Sequence, residues 1–114
     1  MRYKDGCIMY NMHRQIDRIC IDDGPLDQYF HAKLGRDCWV TSGRNGKHMK
    51  KSLHWKGRAI DIRTWGLSDP EGYIAAKDIN KLIGYDFDVV YEEDPDHMHI
   101  EWDPKTTRQV ATRT

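Results

Sequence analysis

Two short segments of this chain alternate between apolar side chains and metal-ligating or charged ones, and they set its architecture. From Arg58 to Thr64, Ile60 and Ile62 take one side while Ala59, Asp61 and Arg63 take the other. From His97 to Trp102, Met98, Ile100 and Trp102 take one side while His97, His99 and Glu101 take the other. Successive side chains of a strand point to opposite faces, so both segments predict strands with one face in a core. The second face carries an aspartate and two histidines. A carboxylate set among apolar strand residues costs free energy unless its face is wet, or it is paired, or it binds a cation.

The remaining elements are predicted around these two. Ile8, Met9, Met12, Ile16, Ile19 and Cys20 have a helix-like spacing over residues 7–20. Asp22-Asp23-Gly24-Pro25 breaks the chain, and Leu26 to Leu34 predicts a second short helix closed by Gly35. Cys38 to Thr41 predicts a strand. Ser42 to Trp55 is polar and contains glycine, which predicts a long loop of the kind that usually carries function. Pro70 to Ile83 predicts a helix with Ser68 or Asp69 as its cap, Gly84 as its stop, and Ile74, Ala75, Ile79, Leu82 and Ile83 as its apolar stripe. Phe87 to Tyr91 predicts a strand, Glu92 to Asp96 an acidic turn, and Asp103-Pro104 the end of the last strand. The tail from Lys105 to Thr114 is expected to fray. Late strands joined by a short turn pair antiparallel. The expected fold is therefore α+β: one domain of 114 residues, with a small, mainly antiparallel sheet and helices packed on one face.

Charge and cysteine usage narrow the function. Eighteen basic residues balance 18 acidic ones, which argues against a dedicated nucleic-acid binder. The basic run Lys47-His48-Met49-Lys50-Lys51 reads as a solvated loop. Three cysteines, Cys7, Cys20 and Cys38, form no CxxC pair; free thiols in a reducing compartment are expected, with neither a disulfide scaffold nor a CxxC zinc site. Met1 to Gly6 has no apolar stretch after its charges, so no signal peptide is expected. No window approaches the roughly 18 apolar residues of a membrane span. A monomer made in the cytoplasm is expected.

His54 and Asp61 stand seven positions apart around Gly57, and Asp96-His97-Met98-His99 adds further imidazoles and an acid. Two histidines and one aspartate suit a zinc ion that keeps a position open for water. A neighbouring acid then suits a general base on that water.

The run Ser52-x-His54-x-x-Gly57-x-Ala59-x-Asp61 resembles the signature of the M15 family of zinc peptidases: D-alanyl-D-alanine carboxypeptidases and dipeptidases, and L-alanyl-D-glutamate endolysins of phages, which share a fold with the hedgehog signalling domain. Thr41-Ser42-Gly43-Arg44 is similar to the strand end and arginine that precede this signature, and Asp96-His97-Met98-His99 to the closing acid-x-x-His element. The resemblance spans Trp39 to Trp102. It implies that His54, Asp61 and His99 are zinc ligands, that Asp96 is the general base and then acid, and that Arg44 binds the scissile carbonyl or developing oxyanion. It further implies that His97 assists the transition state and that Ser52 braces the ligand loop. Many members of the family have glutamate where this chain has Asp96, and an aromatic residue between the glycine and arginine that are adjacent here. Glu93 is a rival for the base and His48 a rival ligand.

The expected function is a zinc peptidase acting on peptidoglycan stem peptides, either a carboxypeptidase or an endolysin-type endopeptidase. It would reach the cell wall after release, as a phage-encoded protein does. The expected partner is the peptide substrate, with no nucleic acid and no membrane. The alternative is a non-catalytic, metal-stabilised binding or virion structural module of the same fold. A histidine-metal nuclease is the weakest reading, given zero net charge. The bond cleaved is open between D-Ala-D-Ala, L-Ala-D-Glu and cross-bridge amides.

Overall fold

The computed structural model describes residues 1–45 and 53–105. Ser52, the basic run around His48 and the tail expected to fray beyond Lys105 lie outside the described residues. The elements in chain order are β1 (Arg2–Tyr3), α1 (Arg14–Cys20), α2 (Pro25–Tyr29) continuing into a wider π-helical turn (Phe30–Leu34), β2 (Trp39–Ser42), β3 (Ala59–Arg63), α3 (Asp69–Ile83), β4 (Phe87–Glu93) and β5 (Asp96–Trp102). The five strands form one sheet in the order β1-β2-β3-β5-β4. Only β1 and β2 run parallel; every other neighbouring pair is antiparallel. This is the α+β architecture expected from the alternating segments.

The apolar side of the sheet builds the core. Ile60 pairs with Ile100 and Ile62 with Met98 across β3 and β5, and all four are fully buried. They cluster with Ile16 and Ile19 of α1, Leu26 and Phe30 of the second helical segment, and Ala75, Ala76 and Ile79 of α3. Burying a side chain of this size contributes about 1.5–3 kcal/mol, so the strand alternation is held in register by the core it feeds.

Helix α3 keeps its predicted ends. Ser68 Oγ accepts from the Glu71 amide at 3.3 Å, and the Glu71 carboxylate accepts from the Ser68 amide at 2.9 Å, a reciprocal cap. Its buried stripe keeps Ala75 and Ile79 of the expected one but differs at Ile74 and Leu82. Gly72, Ala75, Ala76 and Ile79 face inward, while Ile74 and Leu82 are 61% and 55% exposed. The small residues let the helix lie close to β4: a Cβ on Gly72 would stand 2.3 Å from the Tyr91 ring. Backbone proximity, and not side-chain bulk, chose the face.

The first helix is shorter than its spacing predicted. It begins at Arg14, where His13 Nδ1 accepts from the Gln15 amide at 3.1 Å. Asn11 upstream has φ 53°, a left-handed conformation that interrupts a helix. The segment before it is tied instead to the loop after β2, through Arg44 N–H to the Ile8 carbonyl at 2.8 Å. Strand β1 was not foreseen, because two residues carry no readable alternation. Among the described residues, no helix is long and apolar enough to cross a membrane.

Candidate metal centre

The polar face of β3 and β5 lies opposite the core. Register places Asp61 against His99, Arg63 against His97 and Ala59 against Glu101. His54 comes from the tight turn before β3, where Gly57 N–H bonds the His54 carbonyl at 3.0 Å and Arg58 N–H bonds the Leu53 carbonyl at 2.9 Å. Gly57 has φ +70°, and a Cβ there would stand 2.7 Å from the Asn11 carbonyl. Only glycine closes this turn between His54 and Asp61 without strain.

His54, Asp61 and His99 each offer one ligand atom, and these atoms lie within 4.8 Å of one another. His54 Nε2 is 3.3 Å from His99 Nδ1 and 3.4 Å from Asp61 Oδ1, and His99 Nδ1 is 3.1 Å from Asp61 Oδ1. The outer nitrogens fix the tautomers. His54 Nδ1 faces the Gly43 carbonyl at 2.7 Å, and His99 Nε2 faces the Glu101 carboxylate at 2.8 Å. Each partner only accepts, so each outer nitrogen must carry the proton. The inner nitrogens of the neutral rings then present lone pairs to each other and to Asp61. Three converging acceptors require a proton or a cation between them. A divalent ion bound by two imidazoles and a carboxylate fits this donor set, and the outer hydrogen bonds to Gly43 and Glu101 are of the kind that orient ligands.

With no cation between the three acceptors, a proton takes its place, and the electrostatics follow from that. Burial pushes the Asp61 carboxyl up, but hydrogen bonds from His54 and His99 and their charges outweigh it and hold the group well below the usual carboxylate range. Burial pushes His99 down, but hydrogen bonds to Asp61 and Glu101 outweigh it and raise the imidazole above its ordinary value. Without a cation, a shared proton fills the gap. His54 is 2% exposed, so the cluster is shielded on that side and open on the other.

A cavity of about 270 Å³ adjoins the cluster and is lined in part by Asp61, Asp96, His97, Arg63 and Lys4. A larger hollow of about 570 Å³ at the far edge of the sheet, lined by Lys81, Tyr85 and Phe87 among others, holds none of the three ligand-type residues. A further acidic group, Asp88, Glu101 and Asp103, is already occupied: Lys105 Nζ sits 2.7 Å from Asp88 and His99 holds Glu101.

The structure therefore brings His54, Asp61 and His99 together and sets Asp96 and His97 on the adjoining cavity. Strict alternation puts Asp96 on the side of Met98; its place at the strand end, beside the Asp94–Pro95 turn, brings it to the cavity. His97 Nδ1 faces the Pro95 carbonyl at 2.6 Å, and its Nε2 lies 3.4 Å from Glu92 and 4.0 Å from Asp61. Glu93 lies near the Tyr73 hydroxyl of α3 and is not among the residues lining the cavity. Arg44 is placed elsewhere: its Nη1 donates to the Asn11 carbonyl at 3.4 Å, beside Gly57, and it does not line the cavity. Ser52 and His48 lie outside the described residues.

Three residues of the site carried no role in the sequence reading. Glu101 and Arg63 were assigned to the ligand face by alternation alone, and that shared face was the available signal. Lys4 had none, since only the pairing of β1 with β2 brings it near. No protein-family model matches this chain, and no characterised protein matches it.

Proposed function

We propose that this chain is a zinc-dependent peptidase that hydrolyses an amide bond in peptidoglycan stem peptides, as a D-Ala-D-Ala carboxypeptidase or an endolysin-type endopeptidase. The observation that carries the reading is the convergence of His54 Nε2, Asp61 Oδ1 and His99 Nδ1 beside a cavity that Asp96 also lines. The resemblance of the surrounding motifs to M15 peptidases supplies the substrate class. Bound zinc would lower the pKa of a water toward neutrality and polarise a carbonyl.

The chain's own residues supply the rest. His54 and His99 are held in the ligating tautomer by Gly43 and Glu101. Asp96 is the group that takes a proton from the attacking water and returns it to the leaving amine. His97, fixed through Nδ1 to the Pro95 carbonyl, presents Nε2 at the cavity wall for the developing oxyanion.

The placement of Arg44 away from the cavity favours one competing reading, a non-catalytic module in which zinc only stabilises the fold. Mass spectrometry of fragments released from purified peptidoglycan, with zinc-loaded and chelated protein, separates the two. New amine and carboxyl ends that appear only with metal establish the peptidase and identify its bond. No release from walls of several chemotypes, with one zinc bound per chain, leaves the structural module.

A further inference from the structure

The cavity beside the cluster has a cationic wall that the proposed hydrolysis does not use. Arg63 stands two residues beyond Asp61 on the same face of β3, opposite His97. Its guanidinium lies over the Trp39 ring at 4.8 Å and the Trp65 ring at 4.2 Å from their centroids. Trp65 is 65% exposed and lines the same cavity as Arg63, so the stack stands at the cavity wall. The Trp65 backbone carbonyl is held by Arg36, so the stack is anchored from both sides. The buried Nε of Arg63 has no hydrogen-bond partner among the described residues, and no carboxylate there forms an ion pair with it. An arginine fixed between two rings and left without an anion is pre-organised for one.

The charge balance of the cavity points the same way. Lys4 and Arg63 offset Asp61 and Asp96, so the shared proton of the metal-free cluster, or a divalent ion in its place, leaves the cavity with an excess of positive charge. Two residues of strand separate Arg63 from Asp61 by about 7 Å, the span of one to two peptide residues.

We propose that Arg63, clamped by Trp39 and Trp65 and assisted by Lys4, binds a free carboxylate of the substrate peptide within about two residues of the scissile bond, and so sets specificity. This rests on the peptidase reading and names its substrate as an anionic peptide. A planar guanidinium takes a carboxylate through two parallel hydrogen bonds, and each charge-assisted bond is stronger than a neutral one. The carboxylate has two sources in a stem peptide: the chain end, or the α-carboxyl of a γ-linked D-glutamate.

Calorimetric titration tests this on zinc-free protein, where no metal competes for the carboxylate, with hydrolysis of the same peptides by zinc-loaded protein alongside. The probes are N-acetyl-D-alanyl-D-alanine and its C-terminal amide, and N-acetyl-L-alanyl-γ-D-glutamyl-lysine amide with the glutamate α-carboxyl free or amidated. The expected result is at least about tenfold tighter binding of one free acid than its amide, the scale of one charged hydrogen bond. Arg63→Gln should reduce that acid to the level of its amide and leave the amide unchanged, and Arg63→Lys should restore part of the difference. In hydrolysis the loss should fall on KM more than on kcat. The responding pair identifies the source of the carboxylate. Equal binding of acid and amide by the unaltered protein overturns the inference without recourse to any variant, as does equal weakening of both by Arg63→Gln. Acid-selective binding without metal-dependent hydrolysis of any probe or wall would uphold the carboxylate site and sink the peptidase reading. Hydrolysis indifferent to the carboxylate would do the reverse.

Discussion

Asp61 and His99 face each other as a cross-strand pair of β3 and β5, with Asp61 Oδ1 3.1 Å from His99 Nδ1. The pair is set by sheet register, so it is pre-formed by the core on the opposite face, and His54 closes it from a separate turn. The protein is expected to bind one zinc per chain and to gain thermal stability from it, because a ligand that binds only the folded state shifts the unfolding equilibrium. Asp61→Asn keeps the size but weakens the ligand and its charge. Metal titration should show a loss in affinity greater than about 100-fold, the upper range for changes to residues that merely orient ligands. Unchanged zinc affinity in that variant would remove Asp61 from the site.

Glu101 accepts from His99 Nε2 at 2.8 Å and keeps Nδ1 directed at Asp61. Glu101→Gln retains the shape, but its amide can turn either its oxygen or its NH₂ to the ring, so the tautomer is no longer enforced. Zinc affinity should fall about 10–100-fold, with far-UV circular dichroism unchanged. Glu101→Ala should weaken zinc at least as much. Wild-type affinity in both variants would show that the His99 tautomer is set by something else.

The site was legible because alternation is a strict code: once Ile60, Ile62, Met98 and Ile100 are assigned to the core, Asp61 and His99 have only one other face to occupy. Strand register was not legible, yet it decides that Asp61 meets His99 and Arg63 meets His97. Arg44 shows the limit of local motifs. Its position follows a pairing between the loop after β2 and the backbone at Ile8 and Asn11, contacts more than 30 residues apart in the chain that no local pattern announces. The stripe of α3 was legible at Ala75 and Ile79 and misled at Ile74 and Leu82, the larger apolar residues, because close approach to Tyr91 turns Gly72 inward instead.

Gly72 therefore offers a test in which two opposed effects have known sizes. Glycine to alanine inside a helix ordinarily stabilises by about 0.5–1 kcal/mol. Here the added methyl would meet Cε1 of the buried Tyr91 ring at 2.3 Å. Overpacking of this kind costs about 1–3 kcal/mol and should win. Gly72→Ala should lower the denaturation midpoint without changing the slope of the transition; a higher midpoint would mean that α3 shifts freely over β4.

Tyr91 also ties that helix to the sheet through its hydroxyl, which donates to Asp69 at 2.8 Å. The hydrogen bond to Asp69, followed by burial and the charges of Asp69, Asp96 and Glu93, pushes the phenol well above its ordinary value. The folded state thus holds this proton when the unfolded chain has begun to lose it. The stabilisation is complete below the ordinary tyrosine pKa of about 10 and is lost as pH rises from there toward the folded value. Denaturation midpoints measured between pH 9 and pH 11 should fall more steeply for the unaltered protein than for Tyr91→Phe. Parallel slopes would remove Tyr91 as the source.

Asp96 and Glu93 are cross-strand partners flanking the β4–β5 turn, and the choice of general base lies between them. Asp96 lines the cavity, whereas Glu93 reaches toward Tyr73 on α3. Asp96→Asn should therefore abolish peptide hydrolysis by about 10²–10⁴-fold, the usual contribution of general acid–base catalysis, while zinc content stays at one per chain. Glu93→Gln should leave both nearly unchanged. Metal analysis beside the rate assay makes the pair decisive: loss of activity with zinc retained assigns Asp96 to proton transfer, and loss of both assigns it to the integrity of the site. Loss of activity in Glu93→Gln alone would transfer the base to that residue and require the β4–β5 turn to rearrange when substrate binds.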